Sequence, residues 1–185
     1  MIVNEKALVK AIKSSNKNSG YRLVCYEHDG ENWIAIMGAG YLVEMLVDTI
    51  PRKVLGILVE HAGKIPELNV AWKVCRGNVQ TELFKYALDK VQVLDESVLS
   101  TGKFNTIKPT KLMWGELQVW QKPDDLTLLL MNRELVEIIN SKINTKTDGS
   151  CILEEDFESR VFIWRMQTSD DEGTGINHLA KIQLV

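Results

Sequence analysis

This chain contains few of the residue patterns that usually mark an active site. Its three histidines, His28, His61 and His178, are dispersed, and none has a partner at metal-ligand spacing. Its three cysteines, Cys25, Cys75 and Cys151, are odd in number and far apart, with no C-x-x-C pair to suggest zinc or redox chemistry. They read as buried thiols in a reducing compartment. G-x-S-x-G, H-E-x-x-H, the P-loop and the dinucleotide fingerprint are all missing. Gly38-Ala39-Gly40 lacks the further glycine or Lys-Ser/Thr of a phosphate loop, and the turn SDDEGTG lacks the alternating ligands and late glutamate of a calcium loop. No apolar run reaches the ~18 residues of a membrane span. The opening MIVNEKALVK also lacks the basic-then-apolar order of a secretory signal. The expectation is a cytoplasmic protein that is not an enzyme and carries no cofactor and no metal. A site assembled in space from His28, Cys25 or Cys75 with acids such as Glu27 stays open as the enzymatic alternative.

What is present is an ordinary globular composition, 45% hydrophobic and 25% charged over 185 residues. One stretch occurs twice. Leu23 to Leu46, LVCYEHDGENWIAIMGAGYLVEML, returns in altered form at Leu117 to Ile139, LQVWQKPDDLTLLLMNRELVEII. Each copy is an apolar run with an aromatic, a polar turn, a second apolar run ending in Met, then L-V-E and two hydrophobes. We read a duplicated hairpin-plus-helix unit. The expected fold class is α+β, mostly antiparallel sheet with about four helices. It forms a single domain over 1–185, with two pseudo-repeat halves, 1–94 and 111–185, joined by the irregular segment 95–110.

In chain order, Asn4 caps a helix that buries Leu8, Ala11 and Ile12, and SSNKNSG ends it at Ser14 to Gly20. Tyr21 to His28 and Trp33 to Met37 form a hairpin about Asp29-Gly30. Tyr41 to Val47 is apolar nearly throughout, so periodicity does not choose between strand and helix. Pro51, a stripe of Val54, Leu55, Leu58, Val59 and Ala62, and the stop at Gly63 define a helix of about three turns. Val70 to Cys75 is a strand, Thr81 caps a helix through about Lys90 with Leu83, Phe84, Ala87 and Leu88 inward, and Val91 to Leu94 is a short strand. Leu112 to Gln121 is a strand, Lys122-Pro123-Asp124-Asp125 a turn, and Leu126 to Met131 the return. Asn132 caps a helix reaching about Ile143. Arg160 to Thr168 and Ile176 to Val185 are the last strands.

Charge is distributed unevenly. Residues 148–185 carry net −5 and the preceding residues net +2. The acidic residues Glu154, Glu155, Asp156, Glu158, Asp170, Asp171 and Glu172 are the candidate partner-binding surface. On the first helix Lys6, Lys10, Lys13 and Lys17 fall within about 60° of one another at 100° per residue, on the face opposite Leu8 and Ile12. That stripe is either a solvated back or a contact for phosphates or an acidic partner. All five tryptophans lie in expected strands, where packing accounts for them unless one or two stand exposed as partner anchors.

The duplicated hairpin-and-helix unit resembles the paired units of DNA sliding-clamp domains. Glu134 and Glu137 depart from the basic inner-face helices that family uses. The opening NEKALVKAIK, the strand start Gly20-Tyr21 and IPRKVLGILVEHAGKIP at Ile50 to Pro66 resemble small accessory proteins of phages and mobile elements, among them anti-CRISPR inhibitors of Cas9. This second resemblance implies stoichiometric binding to a nucleic-acid-processing effector, with the acidic residues entering a basic groove. The alternative is a clamp-like or direct DNA-binding module using the lysine stripe. Both imply a macromolecular partner and no membrane.

Overall fold

A computed structural model describes residues 2–92, 104–123, 128–142 and 144–166. The fold is α+β. Its main layer is a nine-stranded antiparallel sheet in the order β5-β4-β1-β2-β3-β12-β11-β10-β6, and a second, three-stranded sheet runs β7-β8-β9. The strands are β1 Tyr21–His28, β2 Glu31–Gly38, β3 Tyr41–Leu46, β4 Val70–Cys75, β5 Asn78–Glu82, β6 Asn105–Thr106, β7 Lys108–Trp114, β8 Leu117–Gln121, β9 Leu128–Asn132, β10 Lys146–Thr147, β11 Cys151–Glu155 and β12 Ser159–Trp164. Among the described residues the α-helices are α1 Glu5–Lys17, α2 Arg52–Ala62, α3 Phe84–Val91 and the single turn α4 Arg133–Val136.

Turn chemistry sets the central meander. Asp29 and Gly30 both take positive φ (53° and 80°), the pair of left-handed residues that closes a two-residue hairpin with the twist of its strands. The resulting register sets Tyr26 opposite Trp33 and Cys25 opposite Ile34. β3 is buried along almost its whole length, and it pairs on both sides, with β2 and with β12.

One face of the large sheet, through Leu23, Ile34, Ile36, Val43, Met45 and Val161, packs on Leu8 and Ile12 of α1 and on Val54, Ile57 and Leu58 of α2. Trp120, Leu129, Met131 and Val136 belong to the same cluster, so the small sheet and α4 share this core with α1. The backbone ties them further: Asn4 N–H bonds Ile138 O at 2.8 Å and Asn140 N–H bonds Ile2 O at 2.7 Å. The opposite face, with Val24, Trp33, Ala35 and Phe162, packs against Ala87 and Val91 of α3.

Several expectations are corrected. The two repeat copies share the hairpin but differ in the segment after it. Leu42-Val43-Glu44 is strand, while Leu135-Val136 completes one helical turn and residues 137–142 do not continue the expected helix, whose end at Ile143 lies outside the described residues. Thr81 lies in β5 instead of capping a helix, α3 starts at Phe84, and Leu83 is 76% exposed. Leu112 to Gln121 is two strands, broken at Gly115 (φ 59°), where only a turn reverses the chain. Within 95–110, Asn105–Thr106 pairs with β10 and Lys108 begins β7, so that part is sheet. On α2, Ile57 takes the buried position while Leu55 and Val59 are about 40% exposed. Val91 ends α3, and the expected strand after it, the Asp124-Asp125 turn, SDDEGTG and the terminal strand lie outside the described residues.

Candidate nucleic-acid interface

The lysine stripe is on the protein surface. Asn4 Oδ1 accepts from Ala7 N–H at the start of α1, and the helix runs unbroken through Lys17. Its inner face is fully buried at Leu8 and Ile12, which fixes its rotation about the core and turns Lys6, Lys10, Lys13 and Lys17 to solvent. At 1.5 Å rise per residue the stripe is about 16 Å long. Lys10 Nζ is 2.7 Å from Glu134 Oε1 of α4, both side chains being largely exposed. Among the described residues Lys6, Lys13 and Lys17 form no ion pair.

α2 lies beside α1 and carries mixed charges. Lys53 N–H donates to Glu5 Oε1 at 2.9 Å, and its ammonium lies 3.7 Å from Glu5 Oε2. The two helices are in contact, and Lys13 of α1 is near enough to His61 of α2 to act on its charge. Burial lowers the pKa of His61, Glu60 opposes that depression, and the Lys13 ammonium adds to it. His61 Nδ1 is 3.2 Å from the buried Tyr21 hydroxyl. Arg52 at the head of α2 and Lys64 just past its end are exposed, Lys64 pairing with Glu67 at 2.7 Å. In the sequence His61 stands alone near a helix end. Its contact with Tyr21 and its proximity to Lys13 required the packing of α2 on β1 and α1.

The acidic candidates do not form one surface. Glu154 is 3% exposed on the core face of β11, where it accepts from Thr145 Oγ1 at 2.7 Å and Asn144 N–H at 3.3 Å. That is a correction: its carboxylate serves the fold. Glu155 lies 3.2 Å from Lys146 and 4.0 Å from Arg160. Asp156 Oδ1 accepts from Glu158 N–H, Ser159 N–H and Ser159 Oγ, closing the β11–β12 turn, and Oδ2 accepts from Ile2 N–H. Burial raises the Asp156 pKa, but the donors from Ser159 and Glu158 outweigh it and hold the carboxyl below the usual range. Glu158 is half-buried, while Phe157 at the tip is 84% exposed, a feature hydrophobicity alone would have assigned to the core. Asp170, Asp171 and Glu172 lie outside the described residues.

Two adjoining clefts, of about 230 and 560 Å³, flank α1 on the α4 side and share Ala7, Lys10, Asn132 and Glu134. The wider one adds Arg133 with Glu116 and Glu137, so its charges are mixed. Among the described residues no group of His, Cys, Asp or Glu is arranged to hold a metal ion, and no helix is long and apolar enough to cross a membrane. Cys25 and Cys151 are buried, and burial first, then Asp148, pushes the Cys151 thiol up to about 12. Cys75 is half-buried. Trp33 and Trp120 are buried, whereas Trp114 at the end of β7 is 42% exposed.

No family model matches the chain, and no curated protein matches it. Among solved structures it is similar to DNA polymerase III subunit beta from Borrelia burgdorferi in complex with a natural product, at 12% identity and a TM-score of 0.37. The match covers 89% of this chain and 61% of that one, so the chain spans less than two thirds of that subunit. A likeness of that size carries no argument about activity. Nothing in these comparisons supports the phage or anti-CRISPR resemblance.

Proposed function

We propose that this protein is a binding module that docks on a nucleic-acid phosphate backbone through the lysine face of α1 and performs no turnover of its own. The observation that carries the reading is the exposure of Lys6, Lys13 and Lys17 along one line of a helix whose other side is locked into the core. Held that way, the three ammonium groups keep their spacing without further ordering of the backbone. Duplex DNA presents roughly one charge per 1.7 Å, so the length of the stripe spans about ten phosphates. Lys10 joins them only by giving up Glu134, an exposed pair worth about 0–1 kcal/mol.

Titration of labelled duplex and single-stranded DNA over a range of salt tests the reading. Three phosphate contacts give a slope of log affinity against log salt of about −3. Replacing Lys6, Lys13 and Lys17 together by Gln flattens it. Absence of salt-dependent binding at low ionic strength removes the proposal.

A second reading is favoured by Phe157, held nearly fully exposed at a turn braced by Asp156 and followed by Glu158. It is an anti-CRISPR-like protein that inserts this tip into an apolar, basic-rimmed site on a nucleic-acid-processing effector. Added to a Cas9 and guide-RNA cleavage reaction, it would reduce cleavage stoichiometrically, and Phe157→Ala would relieve the inhibition. Undiminished cleavage in excess protein eliminates this reading.

A further inference from the structure

Among the described residues β5 ends the strand order of the large sheet and pairs only with β4. Its turn from β4 uses Arg76 and Gly77, both at positive φ (51° and 72°), which makes Cys75 and Asn78 a hydrogen-bonded pair. Antiparallel pairs alternate, so Asn78, Gln80 and Glu82 bond to β4 while Val79 and Thr81 turn their N–H and C=O groups outward. Edge strands are usually guarded by proline, lysine, a bulge or a covering element. β5 reads NVQTE, pairs with β4 without a register shift, and is exposed from Asn78 through Thr81. Val79 on the strand is 40% exposed, and Leu83, the residue directly after the strand, is 76% exposed.

The geometry points to β5 as a self-pairing edge, through which two copies of this chain join antiparallel about a twofold axis at Gln80. In the register that pairs all five residues, Val79 meets the partner's Thr81 and Thr81 the partner's Val79. These are the residues with outward backbone groups, so both pairs exchange hydrogen bonds. On the same face a branched apolar side chain then lies against a threonine, a favourable cross-strand combination. On the other face Gln80 meets its own copy, amide to amide, and Asn78 meets the partner's Glu82, amide to carboxylate. No like charges oppose, and Glu82 is held in place by Arg22 Nε at 2.7 Å. Leu83, directly after β5, sets an exposed apolar side chain beside the ladder. So short a ladder falls below the roughly 1,600 Å² of a standard interface, so the dimer dissociates on dilution.

Sedimentation equilibrium of the whole chain over the micromolar range tests this. The expected result is a concentration-dependent dimer. Thr81→Pro should reduce it to monomer with the far-ultraviolet circular dichroism unchanged, because the proline removes an N–H that β4 does not use. Leu83→Lys, which leaves every backbone bond in place, should weaken the dimer at least tenfold. A monomer at all concentrations overturns the proposal, whether or not the edge then accepts a synthetic extended peptide of another sequence. So does a dimer that survives Thr81→Pro in a folded chain. If that proline disturbs the fold, an unchanged dissociation constant for Leu83→Lys overturns it.

Discussion

The Tyr26 hydroxyl on β1 donates to Glu44 Oε1 on β3, and Arg160 of β12 stands directly opposite Glu44 in the sheet register. Glu44 is 4% exposed, and burial pushes its carboxyl above the usual range, although Tyr26, Arg160 and His28 each pull it back. A carboxyl with a raised folded pKa favours the folded state most below its unfolded value, and that contribution is lost as pH rises through the folded value. Glu44→Gln keeps an acceptor for Tyr26 and removes the charge. Urea unfolding should therefore show wild type losing stability relative to this variant as pH rises above the unfolded value of about 4. A pH-independent difference would contradict the assignment.

Charge reversal within the acidic segment should divide by burial. Glu154→Lys places an ammonium among Thr145, Asn144 and the core and should cost about 3–5 kcal/mol in denaturant unfolding. Glu158→Lys, half-buried and bonded only through its backbone, should cost about 0.5 kcal/mol or less. Equal effects would mean that the carboxylate of Glu154 is not engaged in the folded protein.

Gly38 is required by close contact. A Cβ there would meet the Tyr41 ring and lie 2.7 Å from Ser15 Oγ, the group that hydrogen-bonds the Tyr41 hydroxyl at 3.3 Å. Gly38→Ala should lower stability by about 1–3 kcal/mol, read as a fall in the denaturation midpoint at unchanged slope.

His61 should titrate below an ordinary histidine in the free protein, followed through its imidazole resonances by NMR. With a depressed folded pKa, its contribution to stability is present above the unfolded value of about 6.5 and is lost as pH falls through the lower folded value. Bound DNA on the neighbouring Lys13 should raise that pKa, because phosphate charge offsets the ammonium. A pKa that stays put on saturation would place the phosphates away from Lys13.

The two faces of α1 should separate folding from binding. Leu8→Ala, fully buried, should cost about 2–5 kcal/mol and leave the DNA salt slope unchanged wherever the protein remains folded. Lys13→Gln should barely alter stability and should reduce the slope by about one unit.

Local signals settled what local physics controls. Asn4 before a helical apolar period, Gly63 with φ 79° after one, and Asp29-Gly30 between two apolar runs each dictate a backbone conformation within a few residues. For that reason α1, α2 and the first hairpin were legible, as was the lysine stripe, which helical periodicity alone produces. The motif L-V-E followed by two hydrophobes shows where that reading stops. At Leu42 to Leu46 it is a strand because β2 and β12 bond it on both edges, and at Leu135 to Ile139 it makes one turn beside the Val3–Ile139 bridge. Tertiary pairing made that choice, and with it the burial differs: Glu44 is buried in the strand while Glu137 is exposed after the turn. The same pairing turned Glu154 inward, put β5 at the end of the strand order among the described residues, and brought His61 to Tyr21. Sequence alone determined which elements are amphipathic and where the chain reverses at Asp29-Gly30 and Arg76-Gly77, though not at Gly115. Three-dimensional packing decided which charges stay in water, since desolvation depends on neighbours distant in the chain.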